Sequence, residues 1–287
     1  MDVFAAFIAP ALAGVFVGVM SGLLGVGGGT IMVPIFRLAF GMSPLASTAT
    51  SLFAIIPTSI SGVVAHARAK TCVPKLGLAL GVGGAVMSPV GVWLASVSPG
   101  WLVICVAAVV IGFSAFKMFK KAVKCAPAPR AGRAGGSAQA ACANAATAQP
   151  ATPKPVPDQP VLSRKQYLQG ACIGLVAGLA SGYVGVGGGF IMVPLMLAIL
   201  DIPMSLASGT SLIAIMILAI PGVIEQGLLG NIDYLAGIAI VVGSIPGALV
   251  GARLVRVVPE RQLRFIFGGF LLVAAVMLML NEFGILG

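Results

Sequence analysis

Apolar residues run through this chain in long unbroken stretches. The first set fills residues 3–24, 30–40, 48–65, 76–95 and 101–118; the second fills 167–184, 190–200, 207–224, 235–252 and 264–281. A helix needs about 20 apolar residues to cross the hydrocarbon core of a bilayer. In lipid the backbone must satisfy its own hydrogen bonds, which leaves helices or a closed barrel. No stretch alternates apolar with polar at every second position, so a barrel is excluded. The pattern predicts an all-α polytopic membrane protein. The second stretch of each set is too short to span a bilayer alone, and each follows a cluster of glycines. These two read as short broken helices after Gly-rich motifs.

The two sets are copies of one unit. Ser21-Gly-Leu-Leu-Gly-Val-Gly-Gly-Gly-Thr-Ile-Met-Val-Pro34 returns 160 residues later as Ser181-Gly-Tyr-Val-Gly-Val-Gly-Gly-Gly-Phe-Ile-Met-Val-Pro194. At the same offset Thr50-Ser51-Leu52 meets Thr210-Ser211-Leu212, Gly14 and Gly18 meet Gly174 and Gly178, and Gly91 meets Gly251. The chain therefore divides into a first transmembrane repeat (1–118), a linker (119–166) and a second transmembrane repeat (167–287). The linker is rich in Ala, Pro, Gly, Lys and Arg, a composition that buries little apolar surface and reads as a flexible aqueous segment.

Composition agrees with a lipid environment: 59% of the 287 residues are hydrophobic and 8% charged, against about 25% charged in soluble domains. The net charge of +10 sits in the loops, and few aromatics accompany it, so it reads as a topology signal rather than a nucleic-acid surface. With the linker on the cytoplasmic side, the loops 66–75 and 253–264 fall there too. That places 16 of the 17 Lys and Arg inside and leaves Arg37 outside. The loop with Glu225 and Asp233 falls outside, although its copy in the first repeat is inside. The two repeats must then lie in opposite orientation, with about five membrane segments each and both termini outside. Inverted-topology repeats of this kind are a recurring architecture of secondary transporters, with the substrate bound where the repeats meet. The N-terminus lacks a basic leader and reads as a retained helix.

Candidate chemistry concentrates at the glycine clusters. Glycines permit left-handed backbone, and a helix restarting after a break presents free N–H groups and partial positive charge. That is an anion site with no charged side chain. Gly27, Gly28 and Gly29, with Gly187, Gly188 and Gly189, are the candidate substrate-binding residues, joined by the hydroxyls of Thr50, Ser51, Thr210 and Ser211 near the start of the third segment of each repeat. Those hydroxyls can cap a helix, contact an ion, or both. No Gly-Lys-Ser/Thr follows either cluster, so neither is a P-loop. The glycines at four-residue spacing (Gly14, Gly18, Gly22; Gly174, Gly178, Gly182; Gly243, Gly247, Gly251) read as packing faces. Pro34 and Pro194 kink or start the short helices. His66, the only histidine, reads as a solvated helix end, or as a proton-coupling residue. The five cysteines form no CxxC and no metal set. No nucleophile–base or paired-carboxylate arrangement is apparent, and no catalytic residue, cofactor or metal is expected.

The paired G-x-GGG-x-IMVP motifs, each followed by an A/S-x-TSL segment, with a His-x-Arg loop after the first, resemble the TauE/SafE sulfite exporter family of membrane permeases. The resemblance covers both repeats. It implies a transporter of small sulfur-containing anions, such as sulfite or organosulfonates, in the bacterial inner membrane. Charge and repeat pattern by themselves reach an anion secondary transporter, with H+ or Na+ as a possible coupling ion. A passive anion channel on the same scaffold and a non-transporting membrane subunit of a partner enzyme are the alternatives. The orientation is directly testable. A cysteine in the 225–234 loop should react with an impermeant thiol reagent in intact cells, and one in the 66–75 loop should not. Labelling of both from one side contradicts the inverted arrangement.

Overall fold

The computed structural model describes residues 3–99, helical positions between 102 and 116, 163–184, 187–255 and 257–282. Most of the predicted linker, and both chain ends, lie outside the described residues. The first repeat contains α1 (Val3–Leu24), α2 (Gly29–Leu38), α3 (Pro44–Arg68) and α4 (Pro74–Val97). The second contains α5 (Arg164–Val184), α6 (Gly189–Leu195, continued by a π-turn, Met196–Leu200), α7 (Met204–Leu228), α8 (Tyr234–Leu254) and α9 (Glu260–Glu282). Six of the described helices, α1, α3, α4, α5, α7 and α8, are long and apolar enough to cross a membrane. The protein is a polytopic all-helical membrane protein. At 10 residues, α2 spans about 15 Å, half a bilayer core.

The predicted segments recur: α1 keeps its predicted bounds, α2 ends at Leu38, and α3, α4, α7 and α8 extend by one to four residues at each end, in α3 and α8 behind a polar cap. Ser43 caps α3, its side chain accepting from the Ala46 amide at 3.3 Å, with Pro44 in the first turn. Asp233 caps α8 by accepting from the Ala236 amide at 3.1 Å. At the other end of α3, the Thr71 amide donates to the His66 carbonyl and Lys70 is left-handed. At the end of α7, the Asn231 amide donates to the Gln226 carbonyl and Gly230 is left-handed. Both are Schellman endings. The left-handed positions Gly41 and Asp201, which close the two short-helix segments, are likewise 160 residues apart.

The long helices pack across the repeats rather than within them. The main partner of α1 is α8, and that of α4 is α5. Glycines let these backbones touch, as the four-residue spacing predicts. A Cβ added at Gly14, Gly18 or Gly22 would collide with the carbonyls of Ile240, Ser244 and Ala248 in turn. One added at Gly174, Gly178 or Gly182 would collide with those of Leu80, Gly84 and Ser88. Both pairs are therefore parallel and share the same register. The central helices α3 and α7 run antiparallel, since Gly62 faces Leu212 while Gly222 faces Leu52. Lipid is as apolar as the side chains, so association rests on such close van der Waals contact.

Gly178→Val should destabilise the protein by at least about 1–3 kcal/mol, the usual cost of overpacking, because the obstructing atoms belong to the Gly84 backbone. Gly112→Ala, which meets nothing within 4 Å, should leave the melting temperature in detergent unchanged.

Candidate functional site

Each glycine cluster is a real interruption. After α1, Gly25, Gly27 and Gly28 have φ of 71°, 81° and 81°, and α2 starts at Gly29. After α5, Gly187 and Gly188 have φ of 88° and 68°, and α6 starts at Gly189. L side chains rarely adopt this conformation, which is why glycine occupies these positions. The two breaks touch. A Cβ on Gly189 would lie 2.8 Å from the Gly25 carbonyl oxygen and from Val26 Cα. Two isoleucines with the same repeat position close the space around them. Ile215 Cγ2 would stand 2.8 Å from a Cβ on Gly27, and Ile55 Cδ1 2.9 Å from one on Gly187. Both isoleucines are fully buried. Gly27, Gly187 and Gly189 thus lie against Ile55 of α3 or Ile215 of α7, whereas Gly28 faces Val17 and Ser21 of α1 and Gly188 faces Ala177 and Ser181 of α5.

Hydrogen bonds to protein occupy the four candidate hydroxyls, and of the four Ser211 bonds to a break. The sequence reading put them at helix starts; the caps lie further upstream, at Ser43 and Pro203, so they sit in the second turn of α3 and α7. Thr50 Oγ1 accepts from the Asp233 amide at 3.0 Å, and Thr210 Oγ1 accepts from the Val73 amide at 3.0 Å. Those two amides enter α8 and α4, so each threonine fastens the other repeat's hairpin. Ser211 Oγ donates to the Gly25 carbonyl at 2.6 Å and anchors the first break to α7. Ser51 Oγ donates to the Thr48 carbonyl at 2.8 Å. Pro34 and Pro194 lie inside the short helices rather than at their starts.

His66 is not a solvated helix end, because it is fully buried. Its Nε2 donates to the Gly22 carbonyl at 2.9 Å, and its Nδ1 pairs with Thr71 Oγ1 at 2.7 Å. The ring packs over Gly209, where a Cβ would stand 3.0 Å from His66 Cβ and Cγ. The second repeat fills the same position with Gln226, whose Oε1 accepts from Asn231 Nδ2 at 2.8 Å. The imidazole thus ties the α3–α4 turn to the last turns of α1, just before the break.

Among the described residues, four other hydroxyls are buried without any partner: Ser21, Thr30, Ser59 and Ser181. Ser21 and Ser181 open the two copies of the motif, and each stands beside its break. A Cβ on Gly28 would be 3.6 Å from Ser21 Cβ, and one on Gly188 would be 3.2 Å from Ser181 Cβ. The sequence reading passed over Ser21, Thr30 and Ser181. Their signal was polarity inside an otherwise apolar repeated motif. A separate cavity of about 540 Å³ lies between α4, α5 and α6, walled by apolar side chains such as Leu94, Phe113, Leu179 and Leu195. It presents almost no polar surface to a solute and is no part of this centre. Among the described residues no group of His, Cys, Asp and Glu could hold a metal.

The tie made by His66 predicts a graded response. His66→Gln, which reproduces the residue of the second repeat, should keep stability within about 1 kcal/mol of wild type. His66→Ala should cost about 1–3 kcal/mol by leaving the Gly22 carbonyl unpaired. Wild-type pH dependence of transport in His66→Gln would remove the proton-coupling role.

The comparisons with known proteins agree with this architecture. The family profile described as Sulfite exporter TauE/SafE matches residues 10–278. The probable membrane transporter protein YunE of Bacillus subtilis is 25% identical over 258 residues, covering 87% of this chain and 89% of that protein. The probable membrane transporter protein YdhB of the same organism is 27% identical over 248 residues, covering 86% and 89%. The probable membrane transporter protein MamO of Magnetospirillum gryphiswaldense is 35% identical over a shorter 114 residues, 37% of this chain and 18% of that one. No solved structure matches. With the profile spanning nearly the whole of both repeats, the chain belongs to the sulfite exporter TauE/SafE family of membrane transporters.

Proposed function

We propose that this membrane transporter is a secondary transporter of a small sulfur oxyanion, sulfite or a short organosulfonate, which it binds where the two glycine breaks meet. The observation that carries this reading is the contact between the breaks, each at the start of a short helix, buried at the centre of the molecule. Helix starts offer N–H groups and about half an elementary charge each, enough to attract an anion without a buried Lys or Arg. In this reading the substrate lies between the amides of Gly27–Gly29 and the backbone of Gly187–Gly189. Ser211 holds the first break through the Gly25 carbonyl, and Thr50 and Thr210 join the two repeats around it. The antiparallel course of α3 and α7 supports the inverted arrangement on which alternating access rests. The sulfur-anion class follows the family's description; the inner membrane is the proposed location, and H+ or Na+ the coupling ion considered.

The packed pair Ile55 and Ile215 favours a gated transporter over an open channel, since it fills the space between the breaks. Purified protein in liposomes decides between them. Uphill uptake of sulfite or methanesulfonate driven by an imposed proton or sodium gradient is expected. Uptake only down the anion's own gradient would indicate a channel, and no flux would indicate a non-transporting subunit. Gly28→Val should abolish flux in protein that still purifies as a single species. It places a β-branched residue at φ 81° and 2.9 Å from Val17 Cγ1. Normal flux in that variant would remove the glycine site.

A further inference from the structure

The two breaks are alike in backbone but not in what surrounds them. On the first side, Ser21 and Thr30 are each 1% exposed and Ser59 is 0% exposed, and their hydroxyl oxygens have no partner. Thr30 is the second residue of α2. Ser59 lies one turn along α3 from Ile55, which borders both breaks. On the second side, Phe190 stands where Thr30 would be and Ala219 where Ser59 would be, both fully buried. Only Ser181 remains there. The backbone follows the same division. The Gly189 amide donates back to the Gly187 carbonyl at 2.8 Å, whereas among the described residues no backbone acceptor takes the amides of Gly29 or Thr30.

Orphaned buried hydroxyls are rare in proteins, and each costs about 1–3 kcal/mol if nothing satisfies it. Two of them, Ser21 and Thr30, flank one free helix start, with Ser59 on the neighbouring α3, and describe a set of donors that lacks its acceptor. We propose that the first break alone is the anion cradle, with the hydroxyls of Ser21 and Thr30 and the free first-turn amides of α2 as its donors, and that the second break is its apolar wall. The cradle suits a fully deprotonated group with two or three acceptor oxygens, as in a sulfite or sulfonate head. Phe190 and the isoleucines suit the substituent of a short alkylsulfonate. The cradle rests on the anion-transport reading above and assigns unequal roles to its two halves.

The test is binding of sulfite and of methanesulfonate to the full-length protein in detergent, by titration calorimetry and by the melting-temperature rise each anion causes. Ser21→Ala and Thr30→Val should each weaken binding about 10- to 150-fold, the range for one hydrogen bond to a charged group. Ser181→Ala should leave affinity at the wild-type value. Because Ser21 and Thr30 lack partners in the protein, both variants should melt no lower than wild type without anion, which separates lost binding from lost folding. Equal weakening by Ser21→Ala and Ser181→Ala would overturn the one-sided cradle, as would an unchanged anion-induced shift in Ser21→Ala and Thr30→Val, which would leave those hydroxyls to buried water. Wild-type protein that binds neither anion would overturn the transport reading itself.

Discussion

A helix can be interrupted inside a membrane only where protein replaces lipid around the break. Free N–H and C=O groups in hydrocarbon each cost several kcal/mol, so two glycine breaks in one chain dictate most of what encloses them. They are placed in contact with each other, and α3 and α7 flank them with fully buried faces. The remaining long helices approach closely enough to keep lipid out. The glycine ridges of α1 and α8, and of α4 and α5, supply that approach, because a single Cβ on either surface would push the backbones apart.

The polar side chains of the interior serve the same constraint. Thr50 and Thr210 each take up an amide at the entry to a helix of the opposite repeat, and Ser211 takes the carbonyl of Gly25. His66 takes the carbonyl of Gly22. Each bond satisfies a backbone group at a break or a helix end, and those of Thr50, Thr210 and Ser211 join the two repeats. The frame is therefore rigid where its polar groups are paired, and what stays unpaired stands out against it. Of the hydroxyls that nothing claims, Ser21 and Thr30 lie at the start of α2, Ser59 on α3 and Ser181 beside the second break.

The long apolar stretches, the repeat and the two short segments were legible in the sequence because hydrophobic length and glycine clustering act locally. Helix ends were less so, since Ser43 and Asp233 extend α3 and α8 past their apolar runs by capping. The role of the glycines at four-residue spacing was legible from spacing alone. The candidate site was legible in part. Glycine was a reliable sign of a break, but a hydroxyl in sequence does not reveal whether it is paired, and pairing is set by the helix across the interface. Thr50 and Thr210 attracted attention by recurring in a shared motif, yet that recurrence reflects two equivalent structural bonds. His66 looked like a helix end because Arg68 follows it, while the space that buries its ring is provided by Gly209, far away in the chain. Ser21 and Thr30 were visible only as small polar residues in an apolar motif.

The central claim is that an oxyanion occupies the meeting point of the two breaks. Crystals of the protein grown with selenite, a heavier analogue of sulfite, would locate it by the anomalous scattering of selenium. The expected result is a single strong peak beside the start of α2, within hydrogen-bonding distance of Ser21 Oγ and the Gly29 amide. A peak only in the apolar cavity beside Leu94 and Phe113, or only at the exposed helix ends, would contradict it.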